Sequence, residues 1–394
     1  MENERGDPQL DLMIQHWPDI TMDEADAVLG RLSEPLHARR IIARSGRPMA
    51  AGCLVDTGAG DMFIKRYARS VRTEDTILPY HRFVAHLASH GIPTPTFHRF
   101  TAGSASVSAA GTADVATAIG METVLLWNDC VYEVSAKAWG EDRYAKAYIW
   151  DPPETNREAY RLGAFLGHLD IASRGFDEPR PAPCGYQARF SIFEHEDVLT
   201  AADGWLRERP LTARWMRETG RDFLADLAQF ADTGARLASR YRAVEHIWTH
   251  GDAHLSNFMW QGDAPSAVFD FGMADANTAV FELAMALERH TIQWLDVMNG
   301  DADSYRLDLA RTIVSGYHAV RPLSDVEKEI LPDVLAVSQI EGGVTLIDYW
   351  LRSHGRGQDI SWGYDVDFLA HGLWYRSPSG VAYLNGLRRI LDHL

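Results

Sequence analysis

Three oxygen-bearing side chains follow one another in the second half of the sequence at a spacing that could serve chemistry. Asp252 and Asn257 lie five residues apart in the segment HGDAHLSN (250–257), and Asp270 follows thirteen residues later in FDFG (269–272). Carboxylate and carboxamide oxygens are the ligands that a hard cation such as Mg2+ prefers. A further carboxylate beside such a cation could orient a hydroxyl group and accept its proton.

Phosphoryl transfer is the reaction that this combination of side chains suits. Its transition state spreads negative charge over the phosphate oxygens, so catalysis consists mostly of positioning and of charge neutralisation by a metal ion. We interpret Asp252 as the catalytic residue that orients the attacking hydroxyl and accepts its proton, and Asn257 and Asp270 as ligands of Mg2+. Lys65, which follows the apolar run 62–64, offers a compact positive charge for the α- and β-phosphates of a nucleotide.

These motifs resemble those of a known family. H-G-D-x-H-x-x-N at 250–257 and F-D-F-G at 269–272 resemble the two signatures of the aminoglycoside phosphotransferase and choline kinase-like family, which has a protein-kinase-like fold. The segments FIKRY at 63–67 and TILPYHRF at 76–83 are similar, locally, to the lysine strand and following helix of bacterial stress-response kinases. The resemblance implies a phosphotransferase (kinase) with an alcohol group as acceptor, using ATP or GTP and Mg2+.

Supporting roles follow from the same resemblance. His250 and His254 would hold the catalytic loop by ring hydrogen bonds, and Glu282, where family members usually carry an aspartate, would brace that loop as a buried carboxylate. Two histidines four residues apart also suggest a zinc site, but Gly251 replaces the glutamate of H-E-x-x-H, which favours the structural role. Aspartates next to glycine are commonly turn or capping residues. The ordered set favours chemistry over that alternative.

One position departs from the family pattern. Tyr80 stands where the family's helix usually offers a glutamate to the strand lysine. Glu74 and Asp75 come about a turn or more earlier and would substitute only in a shifted helix. Because tyrosine replaces the expected carboxylate at this position, a nucleotide-binding pseudokinase that acts as a scaffold stays an alternative to an enzyme.

The first third of the chain is β-rich and predicts the lobe that binds the nucleotide. Lys65 belongs to a predicted hairpin whose turn, 56–61, is rich in glycine and aspartate. We assign residues 1–138 to this lobe. The stretch 102–120 is expected to be a mobile insertion, because its small residues include too few large apolar groups to offset the entropy of ordering. The predicted strands are 53–55, 62–67, 123–127 and 131–134, and the predicted helix is 75–89.

Beyond Pro153, apolar residues recur at a spacing of three and four, which is typical of helices. Residues 139–394 are therefore predicted to form a mainly helical lobe with the catalytic loop, the metal loop and the acceptor site. A β-rich lobe followed by a helical lobe indicates an α+β, bilobal protein-kinase-like fold, with the nucleotide between the lobes. The predicted helices are 158–173, 212–241, 278–294, 304–320 and 324–353.

Composition limits the partners and the location. Lys and Arg number 38 against 55 Asp and Glu, a net charge of -17, which disfavours nucleic acid and acidic membranes as partners. Either a cationic partner or an acidic surface kept for solubility accounts for this charge. Three widely spaced cysteines without a C-x-x-C pair, and the lack of an apolar run of about 20 residues, favour a cytoplasmic protein without a membrane anchor. The oligomeric state is left open.

The acceptor is the part of the function that the sequence constrains least. An antibiotic, a sugar, an amino alcohol or a natural-product intermediate would each offer a hydroxyl group. Aromatic and acidic residues near the carboxyl end, such as Trp362 and Asp367, would suit a cationic small molecule, although helix packing explains most of the aromatic residues without a ligand. Phosphorylation of Ser or Thr in a protein or peptide is the alternative activity.

Overall fold

The fold is that of a computed structural model, which describes three stretches of the chain: 17–45, 49–102 and 119–394. The side chains of 119–121 are not part of this description. The expected mobile insertion at 102–120 therefore lies almost wholly outside the described residues and stays a prediction.

Two compact units make up the described chain. The first contains the described residues up to Arg82 together with Pro95–Ala138, and the second contains Phe83–Thr94 together with Trp139–Leu394. The catalytic loop predicted at 250–257 belongs to the second unit, whereas Lys65 belongs to the first.

A six-stranded antiparallel sheet and two helices form the first unit. In chain order the elements are α1 (Met22–Leu29), β1 (Arg40–Arg44), β2 (Ala51–Asp56), β3 (Asp61–Ala68), α2 (Glu74–Ser89), β4 (Ile119–Met121), β5 (Val124–Trp127) and β6 (Cys130–Ala136), with α2 ending in the second unit. The strands lie in the order β1-β2-β3-β6-β5-β4. β2 and β3 form the hairpin that the sequence predicts.

Alternation along the strands decides which face of the sheet each side chain takes. Val55 of β2 and Ile64 of β3 are fully buried and belong to one apolar core with Val28 and Leu29 of α1. Lys65 comes directly after Ile64 and therefore takes the opposite face, because successive side chains of a strand alternate. The apolar core thus fixes the face on which Lys65 is presented.

The second unit is mainly helical. Its elements are α3 (Asn156–Ser173), α4 (Val198–Arg207), α5 (Pro210–Thr219), α6 (Phe223–Ala228), α7 (Ala231–Ala243), β7 (His246–Thr249), β8 (Phe258–Gln261), β9 (Ala264–Val268), β10 (Asp275–Thr278), α8 (Ala279–Thr291), α9 (Trp294–Met298), α10 (Leu307–Val320), α11 (Asp325–Arg352), α12 (Gly357–Trp362), α13 (His371–Trp374) and α14 (Pro378–Leu391). A π-helical stretch, Gly363–Ala370, joins α12 to α13. β7 pairs with β10 and β8 pairs with β9, both antiparallel.

The prediction of a single helix over 212–241 is wrong. The chain forms α5, α6 and α7 there, because Gly220 ends α5 in the left-handed region at φ +71° and the side chain of Asp222 caps the start of α6. The helix expected over 278–294 ends early as well, at Thr291. Apolar residues continue at a spacing of three and four across both helix ends, so this periodicity alone does not reveal where the helices stop.

The long helix α11 is buried in the second unit. Ser324 and Glu327 form the capping box that begins it. By length and composition alone α11 could cross a membrane, but most of its apolar stretch is buried inside the protein. Its Glu341 accepts hydrogen bonds from Ser191 and from the indole of Trp205. These are the contacts of a packed core helix.

Candidate active site

Two short strand pairs hold the segment that carries the predicted catalytic residues. β7 ends at Thr249, immediately before the loop that begins with His250, and pairs with β10. The hairpin formed by β8 and β9 then returns the chain, so that the amide of Phe269 donates a hydrogen bond of 3.0 Å to the carbonyl of Asn257. This hydrogen bond brings the next residue, Asp270, close to the end of the catalytic loop.

The catalytic loop turns at Gly251, whose φ of +76° lies in the left-handed region that favours glycine. A Cβ at this position would stand 2.5 Å from the Cβ of Ala188 and 3.0 Å from the carbonyl oxygen of Met273. The amide of Gly251 donates a hydrogen bond of 3.0 Å to Oε2 of Glu282 on α8. Glu282 is fully buried, and burial raises the pKa of its carboxyl group. The contact predicted between Glu282 and the loop is therefore present.

Both loop histidines use both ring nitrogens, in contacts with other loop residues or with Phe269. His250 donates through Nε2 to the carbonyl of Phe269 at 2.8 Å and accepts through Nδ1 from the amide of Asp252 at 3.2 Å, which assigns its proton to Nε2. His254 contacts Oγ of Ser256 through Nδ1 at 2.9 Å and Oδ2 of Asp252 through Nε2 at 3.3 Å. The pair does not form a zinc site. Within the described stretches, no group of three or more His, Cys, Asp and Glu side chains is arranged to hold a metal ion.

Asp252 is a mostly buried carboxylate that stays charged. Its side chain is 18% exposed, and Oδ2 accepts a hydrogen bond of 3.2 Å from Nδ2 of Asn257. Nη2 of Arg289 lies 3.7 Å from Oδ1. Burial opposes the charge, but the electrostatic interaction and hydrogen bond with His254, together with the positive charge of Arg289, outweigh it and hold the pKa of Asp252 well below its usual value. Asp252 is therefore ionised at neutral pH.

Asn257 and Asp270 supply oxygen donors of the type that a hard cation binds. Nδ2 of Asn257 donates to the main-chain carbonyl of Asp252 at 2.9 Å as well as to its carboxylate, so the carboxamide oxygen faces the other way. Asp270 adopts φ +61° and ψ +64°, a left-handed conformation that few residues other than glycine take. One carboxamide and one carboxylate oxygen fit Mg2+ better than a softer metal ion.

Two residues of α8 that the sequence did not single out also hold the loop. Arg289 is 1% exposed, and its Nη1 lies 2.8 Å from Oε2 of Glu288 while its Nη2 faces Asp252. Nε2 of His290 contacts the carbonyl of Ala253 at 2.8 Å. The available signal was a run of three ionisable residues, 288–290, near the end of a helix whose other residues, apart from Glu282, are mostly apolar.

A buried group of side chains, which we call the polar cluster, lies beside Arg289 within the second unit and consists of Glu288, Trp294, Asp367 and His371. Nδ1 of His371 lies 3.8 Å from Oε1 of Glu288 and 3.6 Å from Oδ1 of Asp367, and its ring stacks on Trp294 with the centroids 3.7 Å apart. Burial raises the pKa of Asp367 to about 7 and lowers that of His371 to about 3. Among the described residues, neither ring nitrogen of His371 nor Oε1 of Glu288 has a hydrogen-bond partner. Such unpaired buried atoms are uncommon and mark a place where a ligand or water can bind.

Asp275, three residues beyond the F-D-F-G segment at 269–272, has a structural position. It is fully buried on β10, where its Oδ2 lies 2.6 Å from Nε of Arg189 and its Oδ1 lies 3.7 Å from Nε of Arg180. Its carboxylate is therefore committed to an ion pair within the second unit.

Lys65 lies on β3 of the first unit. Its Nζ is 5.3 Å from the ring centroid of Tyr67. β3 pairs with β6 so that Lys65 stands directly opposite Glu133. Tyr80 of α2 donates its hydroxyl proton to Oε2 of Glu133. The other predicted site residues share one region of the second unit: His250, Asp252, His254, Asn257, Asp270 and Glu282.

The sequence of this chain matches a family model described as phosphotransferase enzyme family over residues 51–323. The chain belongs to the phosphotransferase enzyme family. The matched stretch includes Lys65 and the whole catalytic loop, and the resemblance inferred from the motifs at 250–257 and 269–272 is confirmed.

Homoserine kinases are among the proteins similar to this phosphotransferase. The enzyme of Janthinobacterium sp. (strain Marseille) is 25% identical over 169 residues, which cover 42% of this chain and 45% of that kinase. The enzyme of Methylobacterium radiotolerans is 29% identical over 247 residues, which cover 52% of this chain and 75% of that kinase. The match to the first kinase thus spans less than half of its length.

The solved structures that resemble this phosphotransferase include a spectinomycin phosphotransferase in complex with ADP and spectinomycin. That protein is 12% identical, with a TM-score of 0.51, and the match covers 96% of this chain and 100% of that chain. At this identity the likeness establishes the fold. The predicted α+β protein-kinase-like fold, with a β-rich part followed by a helical part, is confirmed.

Proposed function

We propose that this phosphotransferase transfers the γ-phosphoryl group of ATP or GTP to a hydroxyl group of a small molecule. The observation that carries the proposal is the catalytic loop itself, in which the carboxylate of Asp252 is mostly buried, charged and hydrogen-bonded to Asn257. Membership of the family supports the reaction class. Asp252 is the proposed catalytic residue, and Lys65 the proposed ligand of the α- and β-phosphates.

In the proposed reaction Asp252 orients the acceptor hydroxyl through one oxygen. Oδ2 is held by Asn257 and His254, whereas Oδ1 lies 3.7 Å from Arg289, beyond hydrogen-bonding distance. Oδ1 is therefore the oxygen proposed to receive the hydroxyl proton. The acceptor oxygen forms its bond to the γ-phosphorus as the bond to the bridging oxygen breaks, and the nucleoside diphosphate leaves. The proton passes to Asp252 and from there to solvent.

The low pKa of Asp252 is compatible with this role. A carboxylate of low pKa is a weak base, but a loose phosphoryl-transfer transition state demands little proton removal before the phosphorus–oxygen bond forms. Orientation of the hydroxyl is then the larger contribution of Asp252. His254 and Arg289 serve that contribution, because they hold the carboxylate charged and in place.

Asn257 and Asp270 are proposed to hold Mg2+, which would neutralise charge on the phosphate oxygens. The part played by the chain is to fix these two oxygen donors relative to each other. The hydrogen bond from the Phe269 amide to the Asn257 carbonyl does this, and His250 secures Phe269 from the other side through its carbonyl.

The acceptor is proposed to be an amino alcohol. The polar cluster offers two buried carboxylates, Glu288 and Asp367, beside the indole of Trp294, and this combination suits an ammonium group. Arg289 faces both Glu288 of the cluster and Asp252, so the cluster lies next to the proposed catalytic carboxylate. The similarity to homoserine kinases, named for an amino acid that carries a hydroxyl, supports this class.

A direct test measures phosphate transfer by the purified chain. ATP or GTP with Mg2+ would be combined with amino alcohols including homoserine, with aminoglycosides, with sugars and with Ser/Thr peptides, and products identified by mass spectrometry. We expect an amino alcohol to be phosphorylated. Asp252→Ala should lower kcat by about 10²–10⁴-fold while nucleotide still binds, and Asp270→Ala should abolish use of the magnesium nucleotide.

The matched control is Asp263→Ala, which removes a half-exposed aspartate from the turn between β8 and β9. It should keep full turnover. Transfer to peptides alone would favour the protein-kinase alternative. The absence of turnover with every acceptor, together with unimpaired biological activity of Asp252→Ala and Asp270→Ala, would favour the pseudokinase scaffold. Normal turnover by Asp252→Ala would remove the proposed mechanism.

A cytoplasmic location stays a prediction.

A further inference from the structure

A lysine that binds phosphates sits on a flexible four-carbon stem, and a neighbouring anion can hold its ammonium in position. Helix α2 does not supply such an anion at the expected place, because Tyr80 stands there. The two earlier carboxylates have other surroundings. Oε1 of Glu74 lies 3.7 Å from Nη2 of Arg69, and Asp75 is exposed.

The sheet provides a carboxylate instead. In the antiparallel ladder between β3 and β6, Lys65 pairs with Glu133. Residues directly opposite in such a ladder have their Cβ atoms about 4.5–5.5 Å apart and share one face of the sheet. Glu133 is 7% exposed, so little water screens its charge. An acidic and a basic side chain therefore lie side by side on the face opposite the α1 core.

Helix α2 holds this carboxylate in place. The hydroxyl of Tyr80 donates to Oε2 of Glu133, and Nε2 of His81 contacts the same oxygen at 2.9 Å. Nδ1 of His81 is in turn 2.7 Å from Oγ1 of Thr123. Burial and the charge of Glu133 raise the pKa of Tyr80 well above its usual value, so its hydroxyl stays protonated and donates. Both contacts use Oε2, so Oε1 is the oxygen that a cation on the same face would meet.

We propose that Glu133 positions the ammonium of Lys65 for the nucleotide phosphates, while Tyr80 and His81 orient the Glu133 carboxylate. The inference rests on the proposed kinase function. In this arrangement the anion comes from the strand next to Lys65, and the helix contributes hydrogen-bond donors in place of a charge. Because the strand ladder sets the pairing, the lysine and its carboxylate stay matched even if α2 shifts.

The first test is Glu133→Gln, which keeps the shape and an acceptor oxygen but removes the charge. We expect KM for ATP to rise about tenfold, the equivalent of one lost charged interaction, with KM for the acceptor unchanged. The matched control is Glu24→Gln. Oε1 of Glu24 lies 2.6 Å from Nη1 of Arg66. Arg66 follows Lys65 on β3, and its side chain therefore takes the other face of the sheet. This control should leave KM for ATP unchanged.

The second test separates positioning from a merely structural role. If Glu133 acts through Lys65, Glu133→Gln should not raise KM for ATP further in a Lys65→Ala background. Tyr80→Glu combined with Glu133→Gln returns a carboxylate to the helix and should recover part of the lost affinity for ATP. Should Glu133→Gln fail to fold, Glu133→Asp retains the charge on a shorter stem, and KM for ATP should rise by less than in Lys65→Ala.

The outcomes distinguish this inference from the proposed function. A wild-type chain that transfers no phosphate would remove the kinase function, whatever Glu133 does. A wild-type chain that transfers phosphate beside a Glu133→Gln variant with unchanged KM for ATP would overturn the role of Glu133 alone. Equal effects of Glu133→Gln in the wild-type and Lys65→Ala backgrounds would also overturn it.

Discussion

Substitution of Gly251 by alanine should damage both the stability and the turnover of this phosphotransferase. A residue with a Cβ pays about 1–2 kcal/mol in the left-handed region. At Gly251 the new Cβ would also stand 2.5 Å from the Cβ of Ala188, well inside the usual contact distance of about 3.5–4.0 Å. Relief of that overlap adds about 1–3 kcal/mol. We expect Gly251→Ala to lower the free energy of unfolding by about 2–5 kcal/mol.

Gly262 supplies the matched control for this substitution. It lies in the turn between β8 and β9 with φ +58°, and a Cβ there would meet nothing within 4 Å. Gly262→Ala therefore carries the conformational penalty without the overlap, and should cost about 1–2 kcal/mol. Urea unfolding of the two variants isolates the difference, which is the energy of the close packing around the loop.

Turnover gives a second measure of the same substitution. A backbone shift at Gly251 moves Asp252 and weakens the hydrogen bond to Glu282. A misplacement of about 1 Å can cost about 10²-fold in rate, so kcat of Gly251→Ala should fall by about that factor while Gly262→Ala keeps its turnover. Equal stability and equal kcat of the two variants would refute the reasoning, because they would show that the loop can relax without cost.

Three further predictions follow from buried carboxylates of the second unit. Glu282→Ala leaves the Gly251 amide without its acceptor and should cost about 1–3 kcal/mol and lower kcat, whereas Glu282→Gln should retain most of both; urea unfolding and turnover check this, and an unchanged kcat in Glu282→Ala would contradict it. Asp275→Asn leaves Arg189 buried without its charge partner and should cost about 3–5 kcal/mol with KM for the magnesium nucleotide unchanged; a raised requirement for Mg2+ would instead make Asp275 a metal ligand. The pKa of Asp367 in the folded protein is about 7, above the value of about 3.9 in an unfolded chain. The contribution of the protonated Asp367 to the free energy of unfolding is therefore complete below about pH 3.9 and is lost as the pH rises through about 7. Between pH 5 and 7 the wild type should therefore lose up to about 3 kcal/mol relative to Asp367→Asn, and parallel pH profiles of the two proteins would contradict this.

The parts of the site that the sequence predicts are those whose spacing is local. Asp252 and Asn257 are joined by one short turn, and Asp270 follows after a single hairpin. Their order and spacing in the sequence therefore nearly determine that the three residues lie close together in the structure. Glu282 was assigned from the family resemblance, and it lies in the first turn of α8, which follows the catalytic loop after two hairpin strands and β10.

The residues that the sequence did not assign are brought to the site by tertiary structure. Arg289 reaches Asp252 because α8 packs beside the loop, and no periodicity within a buried helix indicates which charged residue faces a functional group. Glu133 faces Lys65 because of the register between β3 and β6, two strands separated in sequence by a helix and two further strands. Such pairing depends on which strands become neighbours, and the apolar pattern within one strand carries no information about its neighbour.

The identity of Arg289 as arginine, and not lysine, has a physical basis in the same contacts. Its Nη1 and Nη2 face two different carboxylates, Glu288 at 2.8 Å and Asp252 at 3.7 Å. A planar guanidinium serves both at once in fixed directions, whereas a single ammonium on a flexible stem would have to choose between them. Burial alone would lower the pKa of Arg289, yet the charges of Glu288 and Asp252 raise it above its usual value. The Asp252 carboxylate and the polar cluster are therefore coupled through one permanent positive charge, so a ligand that binds to Glu288 would also change the electrostatic environment of Asp252.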